Sequence, residues 1–163
     1  MATANLTAEH VRELLQYDPE TGIFRRRSGK IAGSLQKSGY VEIGIGQQRY
    51  YAHRLAWLYM TGHWPTKQID HKNGERADNA FANLREATQQ LNSENLRRAR
   101  ADNKTGYLGV FRHYYIHKRD GQRFVACIQV DGRLRKIGLF LTPEAAHAAY
   151  LEAKRRLHEG CTI

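Results

Sequence analysis

The sequence predicts an α+β fold in two parts, on three observations. Apolar residues alternate with a period of two at Val41, Ile43 and Ile45, which is the spacing of a half-buried strand, and residues 108–116, 123–130 and 134–139 read as three further strands. The run HRLAWLYMTG is apolar nearly all round, and the segment after Thr142-Pro143-Glu144 is amphipathic; both read as helices. The chain then changes character at the basic, polar stretch RARADNKTGY. Before it, strands and helices are mixed; after it, three strands precede one helix. The expected division is residues 1–99, a basic linker at 100–106, and 107–163, with the last part a three-stranded antiparallel sheet packed on one helix.

Each element follows from local chemistry. Leu6–Gln16 reads as a helix capped by Thr7, with Leu6 and Val11 in hydrophobic-staple positions and Val11, Leu14 and Leu15 facing a core. YDPETG is turn chemistry, and GIFRRRSGK starts extended. Gln47 and Gln48 are expected to turn the Val41–Ile45 strand into a hairpin partner at Tyr50 and Tyr51, and Gly62 stops the helix that follows. Ile69 closes a brief extended piece, and Asp70 to Asn83 is polar and turn-rich. Leu84 to Glu86 is extended again, and Thr88 caps a helix expected to run to about Ala99. Asp131-Gly132 is a hairpin signal, since both residues tolerate the left-handed backbone that tight turns require. Ala146, Ala149, Tyr150, Ala153 and Leu157 fall on one face of the last helix.

Charge points to a polyanion. The 163 residues carry a formal net charge of +10. Between Leu96 and Lys136 eleven Lys and Arg face three Asp, so this segment favours nucleic acid over a neutral ligand. Two cysteines, Cys127 and Cys161, lie far apart, which argues against a disulfide framework and against a structural zinc knuckle. No apolar run approaches a membrane span, and MATANLTAEH lacks the hydrophobic region of a signal peptide. A reduced, cytoplasmic setting without membrane partners is the expectation.

The stretch QIDHKNGERADNAFANLREATQQLNSENLRR carries the densest chemistry. Asp70 and His71 are adjacent on an extended segment, so their side chains leave on opposite sides. Asn92 falls in the first turns of the helix after Thr88. If that helix packs across the hairpin, Asp70 and Asn92 can supply oxygens to one hard cation while His71 stays free to take a proton. Asn83 can bridge backbone groups and hold the loop closed. The competing reading is plain: loop asparagines commonly make Asx-turns, and a lone histidine is usually a satisfied polar residue. His53, just before an apolar helix, reads as structural, and His63, His113, His117 and His147 show no ligand spacing.

The spacing of Asp70-His71, Asn83 and Asn92, with AHRLAWLYMTGHWP before it and the trailing QLNSEN, resembles the HNH endonucleases, in the phage and intron-type branch without zinc-binding cysteines. The likeness runs from about Leu6 to Arg98, with Asp in place of the first histidine. It implies a ββα-metal domain. It also implies that Asp70 and Asn92 hold one divalent ion, Mg²⁺ or Mn²⁺, that His71 is the general base, and that Asn83 fixes the loop. Asn95 is a weaker candidate near the metal. Products would carry 5′-phosphate and 3′-hydroxyl ends. The segment from Tyr107 to Leu157 is similar to AP2 DNA-binding domains at Gly109-Val110, Arg123-Phe124-Val125-Ala126, Gly138-Leu139-Phe140 and TPEAAHAAY. Leu108 and Phe111 stand where plant members carry arginines and Phe124 replaces a tryptophan, so base readout by those positions does not carry over. Candidate DNA contacts are Arg97, Arg98, Arg112, Tyr114, Lys118, Arg123, Arg133, Arg135 and Lys136. The expected function is a DNA endonuclease or nickase acting on double-stranded DNA as a monomer or homodimer, of phage or mobile-element origin and made in a bacterial host. The alternative is a non-catalytic DNA-binding regulator with an HNH-like scaffold. A basic RNA-binding protein fits the charge but leaves the Asp-His-Asn set unexplained.

Overall fold

The computed structural model describes residues 6–113, 122–158 and 161. The chain forms two compact units that divide between Gln89 and Gln90, ten residues before the expected linker. Both are mixtures of short helices and antiparallel sheets.

In the first unit Thr7 caps α1 (Ala8–Leu14), its hydroxyl accepting from the His10 amide at 3.3 Å. The helix ends before the expected Gln16. Leu15–Tyr17 instead becomes a strand, β1, whose alternation buries Leu15 and Tyr17 and pairs antiparallel with β2 (Phe24–Arg26). A second sheet follows in the order β3 (Ser34–Leu35), β4 (Val41–Ile45) and β5 (Gln48–Tyr51). The β4–β5 turn falls at Gly46-Gln47, because Gly46 adopts φ 60° and Gln48 is already paired with Ile45. Helix α2 (Ala52–Thr61) ends on Gly62 in the left-handed region, as its apolar run and glycine stop require. Val11, Leu15, Ile43, Leu55, Ala56 and Leu58 are almost fully buried and make the core. Tyr17 and Phe24 stack into it with ring centroids 4.6 Å apart. Against this core lies the hairpin of β6 (Gln68–His71) and β7 (Leu84–Ala87), anchored through buried Ile69 and Leu84.

In the second unit α3 is short, Gln89–Glu94, against the expectation of a helix to about Ala99. Asn and Ser within it compete with the helical backbone, and the Leu96 carbonyl accepts from the Lys154 ammonium instead of a helical amide. Residues 100–106, expected as a linker, contain a tight turn: the Asn103 Oδ1 accepts from the Thr105 and Gly106 amides, and its Nδ2 donates to the Tyr107 and Val110 carbonyls. The sheet runs in the order β10 (Arg133–Phe140), β9 (Arg123–Val130), β8 (Val110–His113). The part of the expected first strand beyond His113 lies outside the described residues. Asp131 at φ 52° and Gly132 at φ 74° form the β9–β10 turn. Helix α4 (Pro143–Leu157), capped by Thr142 with Pro143 at its start, covers the sheet with Ala146, Tyr150 and Ala153 against Val110, Ala126 and Ile128. Leu157, expected in that face, is 41% exposed; the last turn has passed the edge of the core. Lys154 takes the inward place one residue after Ala153 and is 1% exposed. Burial pushes its ammonium pKa down, and the Leu96 carbonyl and the Tyr150 ring face carry its charge.

One glycine bears directly on the site. Gly22 sits at φ 72°, and a β-carbon there would lie 2.8 Å from Asn79 Cα and closer still to the Asn79 carbonyl carbon and the Ala80 nitrogen. Gly22→Ala is expected to cost about 2 kcal/mol through backbone strain and this overlap, read as a lower urea midpoint with an unchanged slope.

Candidate active site

The β6–β7 register sets the site: Asp70 pairs with Arg85 and His71 with Leu84. Asp70 is 7% exposed, and the Arg85 Nε and Nη2 both donate to its Oδ2, at 3.0 and 2.8 Å. A buried carboxylate needs such a partner to stay ionised. Arg85 was not legible as a site residue, because its role depends on a cross-strand register that the sequence only suggests.

Between the strands the loop closes on Asn83. Its Oδ1 accepts from the Asn73 amide at 2.9 Å, and its Nδ2 donates to Asn73 Oδ1 and to the Asp78 carbonyl at 3.0 and 2.8 Å. Its backbone carbonyl accepts from the Lys72 amide. Asn73 in turn donates to Asp78 Oδ2 at 2.6 Å. These bonds hold the loop from Lys72 to Asn83 in one shape.

His71 is 4% exposed, with its Nε2 3.2 Å from Asn79 Oδ1. The His53 ring, from the first turn of α2, meets it edge-on at 5.2 Å, and Tyr40 lies 6.1 Å away. Burial lowers the His71 pKa; the bond to Asn79 and the charge of Asp70 oppose it only in part. His71 is thus neutral, able to accept a proton, at ordinary pH. His53 is depressed further, to about 3, by burial and then by His71 and Arg54. Its Nδ1 has no hydrogen-bond partner among the described residues, while its ring stacks on Tyr51 at 5.4 Å. Arg76 caps the cluster, its guanidinium 4.9 Å from the Tyr40 ring centre. Asn79, Tyr40 and Arg76 escaped the sequence reading because only folding brings them to His71.

Asn92 is half-buried on α3, which falls almost wholly in the second unit, and Asn95 just after it is 6% exposed. The two side chains expected as metal ligands, the Asp70 carboxylate and the Asn92 amide, belong to different units. Among the described residues no three His, Cys, Asp or Glu side chains gather as a metal site. Such a gathering is not what this donor pair requires.

The second unit does not put its candidate arginines on one face. Val110, Ala126 and Ile128 turn toward α4, and register places Arg112, Arg133 and Arg135 on that same side, exposed at the sheet margins. Arg123 and Lys136 fall on the opposite, outer face with Phe111, Val125 and Leu139. Strand alternation separates the two sets: Arg133 and Arg135 pair with Val130 and Ile128, and Lys136 pairs with Cys127. Arg97 and Arg98 are exposed. Tyr114 and Lys118 lie outside the described residues. No helix among the described residues is long and apolar enough to cross a membrane.

Two stability predictions follow from this geometry. Arg85→Met leaves Asp70 without its ion pair and should cost about 2 kcal/mol in a urea titration, a modest figure because Arg85 is partly solvated. An unfolded chain protonates His53 near pH 6.5 but the folded one only near 3. The stability that His53 contributes is therefore complete above pH 6.5 and is lost as pH falls toward about 3, by up to about 1.4 kcal/mol per unit. His71 adds to the fall with the same sign. His53→Phe should keep the ring stack and flatten the decline of the urea midpoint below pH 6.5.

The HNH endonuclease family model matches residues 50–94. The chain is also 29% identical over 116 residues to the DNA endonuclease I-HmuI of Bacillus phage SP01, covering 68% of this chain and 63% of the relative. The chain therefore spans less than two thirds of that relative's length. No solved structure matches the chain significantly. The segment that builds the β6–β7 hairpin falls within the residues that match the HNH endonuclease model, as do Asp70, His71, Asn83 and Asn92.

Proposed function

We propose that the chain is a metal-dependent DNA endonuclease or nickase whose second unit binds duplex DNA. The observation that carries this reading is the buried His71, its pKa lowered, beside the Arg85-paired Asp70 on a locked hairpin, inside the matched HNH segment. His71 removes a proton from a water molecule, and the resulting hydroxide attacks phosphorus. The new O–P bond forms as the P–O3′ bond breaks; its electron pair leaves on the 3′ oxygen, which solvent protonates. The ends would be 5′-phosphate and 3′-hydroxyl. Arg85 pairs with Asp70 across the strands, and Asn83 keeps the loop that carries His71 closed. A divalent cation on Asp70 and Asn92 would supply the positive charge that the phosphate and the departing oxygen need. Sharing of one ion by these two residues is part of the proposal.

Three antiparallel strands backed by one helix support the reading of the second unit as a DNA-binding module similar to AP2 domains. On its outer face Arg123 and Lys136 can meet phosphates, with Arg97 and Arg98 adding phosphate contacts.

Supercoiled plasmid with Mg²⁺ or Mn²⁺ should be nicked or linearised, and EDTA should stop the reaction. His71→Ala should lose cleavage and still bind DNA; loss of both together would mean that the histidine is structural. Neutralising Arg123 and Lys136 together should weaken DNA binding and reduce the slope of log affinity against log salt by about 1 to 2. An unchanged slope would remove the outer face from the DNA interface.

A further inference from the structure

We infer that Asn79 is the positioning residue of His71: it fixes the imidazole in the tautomer that carries hydrogen on Nε2, and the β1–β2 turn holds Asn79 in place. The inference rests on the proposed role of His71 as base and specifies which of its atoms reacts. Asn79 is 2% exposed. Its Nδ2 donates to the Ala77 carbonyl at 3.0 Å, which orients the amide so that Oδ1 faces His71 Nε2 at 3.2 Å. An amide oxygen only accepts, so Nε2 must be the donor. A neutral imidazole has one N–H, and its basic lone pair is then on Nδ1. The water proton consequently arrives at Nδ1. Once it does, the ring is an imidazolium and its Nε2–H bond to Asn79 becomes charge-assisted and stronger, so Asn79 favours the protonated product of that step.

The loop does not need Asn79 to close, because Asn83, Asn73 and Asp78 already bond across it. What distinguishes Asn79 is its support from a distant part of the chain. The Tyr17 hydroxyl donates to the Asn79 carbonyl at 2.7 Å, from a residue 62 positions earlier. The Phe81 amide donates to the Pro19 carbonyl at 2.8 Å. Gly22 leaves no room for Asn79 to retreat. The turn from Tyr17 to Gly22 is thus a backstop for the residue that aims the base.

The test is nitrogen-15 NMR of the His71 ring in the full chain at pH 7.5, without metal, beside single-turnover cleavage of plasmid with Mn²⁺. Wild type should show the Nε2–H tautomer. Asn79→Ala should give a tautomer mixture, cleave at least tenfold more slowly and keep wild-type DNA affinity. Asn79→Asp retains an oxygen acceptor and should restore the tautomer and most of the rate. Tyr17→Phe should shift the tautomer part of the way. Wild-type ring shifts in Asn79→Ala, or a rate in Asn79→Asp no better than in Asn79→Ala, would overturn the assignment. Wild type that shows the Nε2–H tautomer but never cleaves would instead sink the nuclease reading and leave the tautomer assignment standing.

Discussion

The antiparallel register of β6 and β7 is the constraint on which the site depends. It sets Asp70 opposite Arg85, so a carboxylate that is 7% exposed meets a guanidinium. The same register sets His71 opposite Leu84, at the end of the strand where the loop begins. A slip of one residue would turn both side chains to the other face of the hairpin. It would leave a buried carboxylate without its guanidinium and carry the imidazole away from His53 and Asn79. Ile69, Leu84 and Ala87 resist such a slip, because each is buried only in the present alignment.

Around that hairpin the first unit acts as a mould. Helix α2 delivers His53 against His71, β4 and β5 flank it with Tyr40 and Tyr51, and the β1–β2 turn braces Asn79 from behind. The result is an imidazole among aromatic rings with the Asn79 amide oxygen against its Nε2, and burial lowers its pKa although two aspartates lie near. Desolvation outweighs the local negative charge. Small residues do comparable work in the second unit, where Ala126, Ala146 and Ala153 let α4 lie close on the sheet.

Much of this was legible in the sequence, and the rest was not, for physical reasons. Period-two alternation found β4, the Asp-Gly pair found the β9–β10 turn, and Thr-Pro-Glu found the start of α4, since each is decided by neighbours in the chain. Helix α1 was read too long because Leu15 and Tyr17 suit either a helical stripe or a strand; pairing with β2 decides it. Helix α3 was also read too long, since the competition of Asn and Ser for the backbone and the reach of Lys154 to Leu96 are invisible in periodicity. In the site, Asp70, His71, Asn83 and Asn92 stood out by spacing. Arg85 and Asn79 did not, because one acts across a register and the other is supported from 62 residues away. Even spacing along β10 suggested a common face for its arginines with Arg123. The register that the two-residue turn imposes pairs Arg133 with Val130 and Arg135 with Ile128, which puts both on the side opposite Arg123.

Lys154 shows how a tally of basic residues can mislead. The C-terminal turns of α4 read Lys-Arg-Arg, as though three cations there awaited a polyanion. Only the two arginines are exposed; the lysine is sealed within the fold, tying α4 to the segment that follows α3. Its charge holds the molecule to itself, so the electrostatic footprint offered to a nucleic acid is smaller than the chain's arithmetic.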